Sequence, residues 1–86
     1  MPNYRITLAR TAEREIARLP PSLQERAVKA IDALADNPRR FGSKKLRGSA
    51  HAYRIRVGNY RVIYEINEKA KIVDVIHVRH RREAYD

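Results

Sequence analysis

The chain has no cysteine, which removes disulfides and thiolate chemistry from consideration. Its three histidines follow no His-Glu-x-x-His spacing, and no carboxylates are paired for acid–base work, so neither a metal nor any other cofactor is expected. No apolar run approaches the roughly 20 residues that span a bilayer. The opening MPNYRITLAR has no apolar core of the kind a secretory leader needs, so a cytoplasmic location without a membrane partner is expected. No repeat, low-complexity stretch or linker interrupts the 86 residues, which read as one domain, 1–86, with one modest core. Acid is scarce where base is plentiful. Residues 1–38 carry six Lys/Arg against five Asp/Glu, while residues 39–86 carry thirteen against five. Nearly all of the net charge of +9 therefore lies in the second half, and a polyanionic partner is the reading that fits.

Asn3 to Leu8 alternates apolar and polar residues, the pattern of a half-buried strand. Thr11 is placed to cap a first helix with the stripe Ala12, Ile16 and Leu19, ended by Pro20-Pro21. Ser22 to Glu25 has the spacing of a capping box and opens a second helix. Its stripe is Leu23, Ala27, Ile31 and Leu34, widened by Val28, Ala30 and Ala35, and Asn37-Pro38 stops it. A basic, surface-exposed loop follows over 39–48. Tyr53 to Ile66 then reads as a hairpin closed by Gly58-Asn59, with Val57 opposite Tyr60, Ile55 opposite Val62 and Tyr53 opposite Tyr64. Lys71 to Val78 reads as a strand buried on both faces. The expected fold class is α+β, ordered β-α-α-β-β-β, with an antiparallel sheet and an αα-hairpin packed on one face.

The hairpin's second face carries the chemistry. It holds Arg54, Arg56, Arg61, Ile63 and Glu65, with Arg56 directly across from Arg61. Like charges placed opposite each other cost a sheet a few tenths to ~1 kcal/mol, so folding alone gives no reason for this pairing. A bound nucleic-acid backbone does. The basic segments 39–47, 54–61 and 79–82 surround the same sheet and are expected to converge on its open face. Taken singly, Arg39, Arg40, Lys44 and Lys45 read equally well as solvated loop charges. No side chain is an obvious general base: His51 and His80 flank basic segments, and His77 reads as a structural residue within its strand. Glu65 reads as an ion-pair partner offsetting the arginines. Tyr85 is either a packing residue or a ring that stacks on a base.

KKLRG at 44–48, YRIRVGNYRVIYEI at 53–66 and HRREAY at 80–85 together resemble the RelE branch of the RelE/ParE toxin superfamily of type II toxin–antitoxin systems. An opening strand, the block AEREIARLP and a second helix ending in Asn-Pro extend the resemblance over nearly the whole chain. It implies a metal-independent endoribonuclease, an mRNA interferase that enters the ribosomal A site and cuts mRNA by attack of a ribose 2′-oxygen on the adjacent phosphate. It also implies three partners: the ribosome, mRNA and a cognate antitoxin that wraps the toxin, here through an acidic, amphipathic segment. By position, the catalytic residues would be Arg54, Arg56, Arg61 and Arg81, with Tyr85 as the stacking tyrosine. Lys44, Lys45, Arg47, Arg79 and Arg82 would contact RNA. Well-known relatives carry lysine where this chain has Arg54 and Arg56. Arginine does not give up its proton, so a general-base role does not carry over and electrostatic stabilisation of the phosphate remains. The alternative is the superfamily's ParE branch, a non-enzymatic inhibitor of DNA gyrase, whose members generally lack the full basic cluster. A third is a degenerate member that only binds its antitoxin.

Overall fold

The computed structural model describes residues 3–82. Strand β1 (Arg5–Leu8) leads into helices α1 (Arg10–Ala17) and α2 (Pro21–Ala33). Both helices start earlier than their capping residues predict. Ala9 stands extended at the entry to α1, so Thr11 lies inside the first turn and makes no cap. Pro21 opens α2 in place of Ser22, because its fixed φ suits the first helical position and its missing N–H would have had no partner there.

Four strands follow: β2 (Lys44–Lys45), β3 (Ala52–Val57), β4 (Tyr60–Asn67) and β5 (Ile72–His80). They join β1 in a sheet of order β1-β5-β4-β3-β2. The antiparallel meander β3-β4-β5 is as expected, and two features are added to it. The αα-hairpin carries the chain back across the sheet, so β1 returns beside β5 in parallel and the sheet is mixed. Lys44 and Lys45, read as loop, form a short edge strand on β3. Lysines suit an edge because they discourage further pairing.

The helical stripe Ala12, Ile16, Leu19, Ala27, Ile31 and Leu34 packs on Ile55, Val57, Val62, Tyr64, Val73, Val75 and Val78. Val28, expected in the stripe, is 43% exposed. Tyr64 is fully buried and donates its hydroxyl to the Pro38 carbonyl at 2.6 Å. Burial pushes that phenol up to about 12, so it stays a protonated donor at neutral pH.

Strand β5 is buried on one face and half-buried on the other, where burial on both was expected. Its two faces exchange parity part-way. Tyr64 pairs with Val75 but Ile63 pairs with His77, which leaves Ile76 as the extra residue of a bulge. A one-residue slip sends every later side chain to the opposite face. Val73 and Val75 before the slip and Val78 after it thus all reach the core, while His77 and Arg79 turn away from it.

Candidate nucleic-acid interface

The hairpin register is the one the alternation predicts: Arg56 faces Arg61, and each apolar pair falls as expected. The bulge in β5 extends this row, because Arg79 now lies opposite Arg61 on its other side. Three arginines, Arg56, Arg61 and Arg79, therefore cross three adjacent strands at one level. Strands lie about 4.8 Å apart, so the guanidinium-bearing side chains leave the sheet from a narrow band. The next level holds Lys44, Arg54, Ile63 and His77 in register.

A fourth arginine arrives from beyond β5. The Arg81 N–H donates to the Asn59 carbonyl at 2.8 Å, pinning the chain to the hairpin turn. That turn is itself fixed. Gly58 has φ +59, and a Cβ there would come within 3.3 Å of Leu23 on α2. The result is a cleft of about 230 Å³ bordered by Arg56, Gly58, Asn59, Tyr60, Arg61 and Arg81. The Arg61 guanidinium is lowered from its ordinary pKa by burial first, then by the positive charges of Arg56, Arg54 and Arg81. Arg54, Arg56, Arg61 and Arg81 thus share one field, and Arg61 remains a cation within it.

The residues differ in exposure. Arg56 and Arg81 are exposed, and Arg61 and Arg79 are half-buried. Arg54 departs from expectation. It lies on the predicted face, yet at 6% exposure it is the buried charged side chain among the described residues. In register it lies between Lys44 and Ile63, one level from the Arg56–Arg61 pair.

The basic loop does not converge as a unit. Lys44 shares Arg54's face, whereas Lys45 pairs with Tyr53 and turns to the other side. Arg39 leaves the site altogether and binds Glu68 at 2.6 Å. Arg47 and Arg82 are exposed, and the Arg82 N–H donates to His80 Nδ1 at 3.2 Å. Glu65 lies on the arginine side of the hairpin but is paired across the strands with Ala52 and Asp74, one level further from the cleft. Tyr85 lies outside the described residues.

Glu15 belongs to the block AEREIARLP of α1, whose local pattern gives it no role at the site. In the fold it meets β5 where β1 no longer covers its edge. Its Oε1 accepts the Val78 N–H at 2.8 Å, and its Oε2 accepts the Arg79 Nε–H at 3.2 Å. His77 Nδ1 stands 3.5 Å from Oε1. One carboxylate therefore satisfies the strand edge and orients an arginine of the row. No local pattern links Glu15 to a strand 63 residues away.

A larger opening of about 720 Å³ lies at the far end of the sheet, bordered by Thr7, Glu65, Glu68 and Asp74 among others. Its carboxylates would repel a phosphate, so size does not make it the polyanion site. Among the described residues, no group of three or more His, Asp or Glu side chains is placed to hold a metal ion, and no helix is long and apolar enough to cross a membrane.

Residues 6–85 match the family model described as the ParE toxin of the type II toxin–antitoxin system parDE. The chain is 33% identical to Toxin RelE of Mycobacterium tuberculosis over 84 residues, covering 95% of this chain and 86% of that protein. In structure it resembles the toxin–antitoxin complex RelBE2 of M. tuberculosis, with a TM-score of 0.81 and 30% identity over 93% of this chain and 99% of that one. The archaeal RelE-RelB complex of Pyrococcus horikoshii gives the same score and identity over 95% and 99%.

Proposed function

We propose that this chain, which belongs to the RelE/ParE superfamily of type II toxin–antitoxin toxins, is a ribosome-dependent endoribonuclease that cuts mRNA in the A site. The observation that carries this reading is the convergence of Arg54, Arg56, Arg61 and Arg81 on one field, with a cleft of about 230 Å³ bordered by three of them. Fixed guanidinium charge suits the negative charge that develops on a phosphate under attack. The 2′-oxygen loses its proton to solvent and attacks phosphorus, the bond to the 5′-oxygen breaks and that oxygen takes a proton from solvent, and the products are a 2′,3′-cyclic phosphate and a 5′-hydroxyl. Arg56, Arg61 and Arg81 would hold the phosphate, and Arg54 would support them from behind. Arg79, oriented by Glu15, extends the charge along the RNA together with Lys44, Arg47 and Arg82. Tyr85 would stack on a base of the bound codon.

None of these arginines is a base, so the 2′-hydroxyl is weakly activated and the reaction depends on geometry. The ribosome would supply the in-line arrangement, and orientation of that kind contributes roughly 7–11 kcal/mol. The proposed reaction needs no metal, since guanidinium groups stabilise charge without coordinating cations. The two solved relatives described above are a toxin–antitoxin complex and a RelE-RelB complex, and an acidic, amphipathic antitoxin segment would suit the basic half of this chain. Its association should slow as salt rises, because steering is screened over ~8–10 Å at physiological ionic strength.

Purified protein mixed with ribosomes carrying a defined message tests the reading. Cuts at the A site ending in a cyclic phosphate are expected, with naked RNA cut far more slowly. Intact message, together with gyrase-linked DNA damage in cells, would instead place the chain with the non-enzymatic gyrase inhibitors.

A further inference from the structure

The chain has a single phenylalanine, Phe41, and it is fully exposed at 101%. Tyr4, Tyr53, Tyr60 and Tyr64, the other aromatic side chains of the described residues, are all at least partly buried. Burying a phenylalanine stabilises a fold, and a fold that leaves its only one in water forgoes that gain.

The ring is presented rather than left loose. The Ser43 N–H donates to the Arg40 carbonyl at 3.0 Å, closing a four-residue turn with Phe41 and Gly42 at its centre. Gly42 has φ +95, the value a type II turn demands at that position. A Cβ on Gly42 would meet nothing within 4 Å, so the tip stands clear of the rest of the molecule. The turn runs directly into β2, where Lys44 pairs with Arg54. The ring is thereby anchored to the edge of the arginine-bearing sheet.

Its surroundings select the partner. No acidic residue occurs between Asp36 and Glu65, while eight cations do. Arg40, Lys44, Lys45 and Arg47 are all exposed near the turn in sequence. The other large exposed apolar side chains, Leu8 and Val28, belong to other elements, β1 and α2, and β1 lies at the opposite edge of the sheet from β2. A protein helix docking in a groove uses several apolar anchors. One isolated ring among cations offers what a nucleobase needs, a π-face beside charge for its backbone.

We infer that Phe41 stacks on an unpaired base of ribosome-bound RNA, outside the arginine cleft, as a second point of attachment. This rests on the proposed RNA target. The base belongs either to the message or to ribosomal RNA.

Binding, read separately from cleavage, tests it. The unaltered protein and the variants Phe41→Ala, Phe41→Leu and Phe41→Trp are sedimented with ribosomes carrying a message whose cut site has a 2′-deoxyribose, and with ribosomes lacking a message. Phe41→Ala and Phe41→Leu should each bind about tenfold more weakly, and Phe41→Trp at least as well as the unaltered protein. A loss seen only with the message assigns the base to mRNA, and a loss in both arms assigns it to ribosomal RNA. Leucine binding as well as phenylalanine would overturn stacking, since an apolar pocket accepts either. Unchanged ribosome binding by all variants, with weakened antitoxin binding, would make the ring a protein contact and sink the inference. Cleavage of an unmodified message by the unaltered protein is scored independently. Weakened sedimentation without cleavage would therefore leave the stacking standing while the nuclease reading failed.

Discussion

The two ends of strand β4 treat their cations in opposite ways. At its start, Arg61 lies between Arg56 and Arg79 in register, and Arg81 adds a further positive charge. At its end, Glu68 gathers the cations around itself. Arg39 reaches it at 2.6 Å, Lys71 at 3.0 Å and the Tyr4 hydroxyl at 2.7 Å. Arg39 also lies over the Tyr53 ring and Lys71 over the Tyr4 ring. The far end thus gathers its cations on one carboxylate and two aromatic faces, while the near end sets Arg56 and Arg61 directly opposite each other and brings a carboxylate, Glu15, to Arg79. A cation count cannot separate the two. Arg39 and Lys44 come from one basic segment, yet one closes a network for the fold and the other faces the arginine field.

Exchanging the roles of the two ends should give the largest effect. Arg61→Ala should reduce cleavage on programmed ribosomes about 10²–10³-fold, the cost of removing one preorganised donor from a developing anion. Its melting temperature should hold or rise, because a like-charge opposition is relieved. Arg39→Ala should do the reverse, lowering the melting temperature slightly and leaving cleavage intact. If Arg61→Ala melted well below Arg39→Ala, the arginine row would be structural and the contrast would collapse.

Glu15 tests whether the near end is tuned or merely crowded. Glu15→Ala removes the acceptor of the Val78 N–H and the partner of Arg79, and should cost about 1.5–3 kcal/mol, the range for hydrogen bonds to a charged group. Glu15→Gln keeps an acceptor for Val78 but loses the charge on Arg79. Denaturant melts should therefore leave the glutamine variant close to the parent, while its RNA affinity becomes less steeply dependent on Arg79. A glutamine variant as unstable as the alanine one would mean that the charge pair, and not the edge bond, holds β5.

Much of this contrast was written in local pattern. The alternation of Tyr53 to Ile66 around Gly58-Asn59 carried the whole hairpin register, and with it the Arg56–Arg61 opposition. What escaped was long-range. The parallel pairing of β1 with β5 depends on where two helices return the chain, which no strand pattern states. The alternation placed Arg54 on its face but carried no sign that it would be buried there. The bulge was readable in hindsight: the polar positions of β5 run Asp74, then His77 and Arg79, a change of parity that only an extra residue can absorb. Helix starts were missed where Pro21 outcompeted Ser22 and where Ala9 preceded Thr11.

The smallest effect belongs to the far end and is a matter of pH. The Tyr4 hydroxyl, then Arg39 and Lys71, hold the Glu68 carboxyl down at about 2, against an ordinary value near 4.5. A carboxyl depressed by folding adds stability above its unfolded value and loses it as pH falls through its folded one. The contribution of Glu68 should therefore be complete above about pH 5 and fade between there and about pH 2. Its side chain is 47% exposed, so solvent and salt weaken the network and the change will be modest. Melting temperatures of the parent and Glu68→Gln, followed downward from neutrality, should start apart and merge near pH 2. Added salt should narrow the gap at neutral pH. The near end should behave differently, because guanidinium groups do not titrate in this window. The offset between the parent and Arg61→Ala should respond to salt without any step of its own in that range. Parallel curves for the parent and Glu68→Gln down to pH 2 would show that Glu68 is a bystander, and the contrast between the two ends would fail.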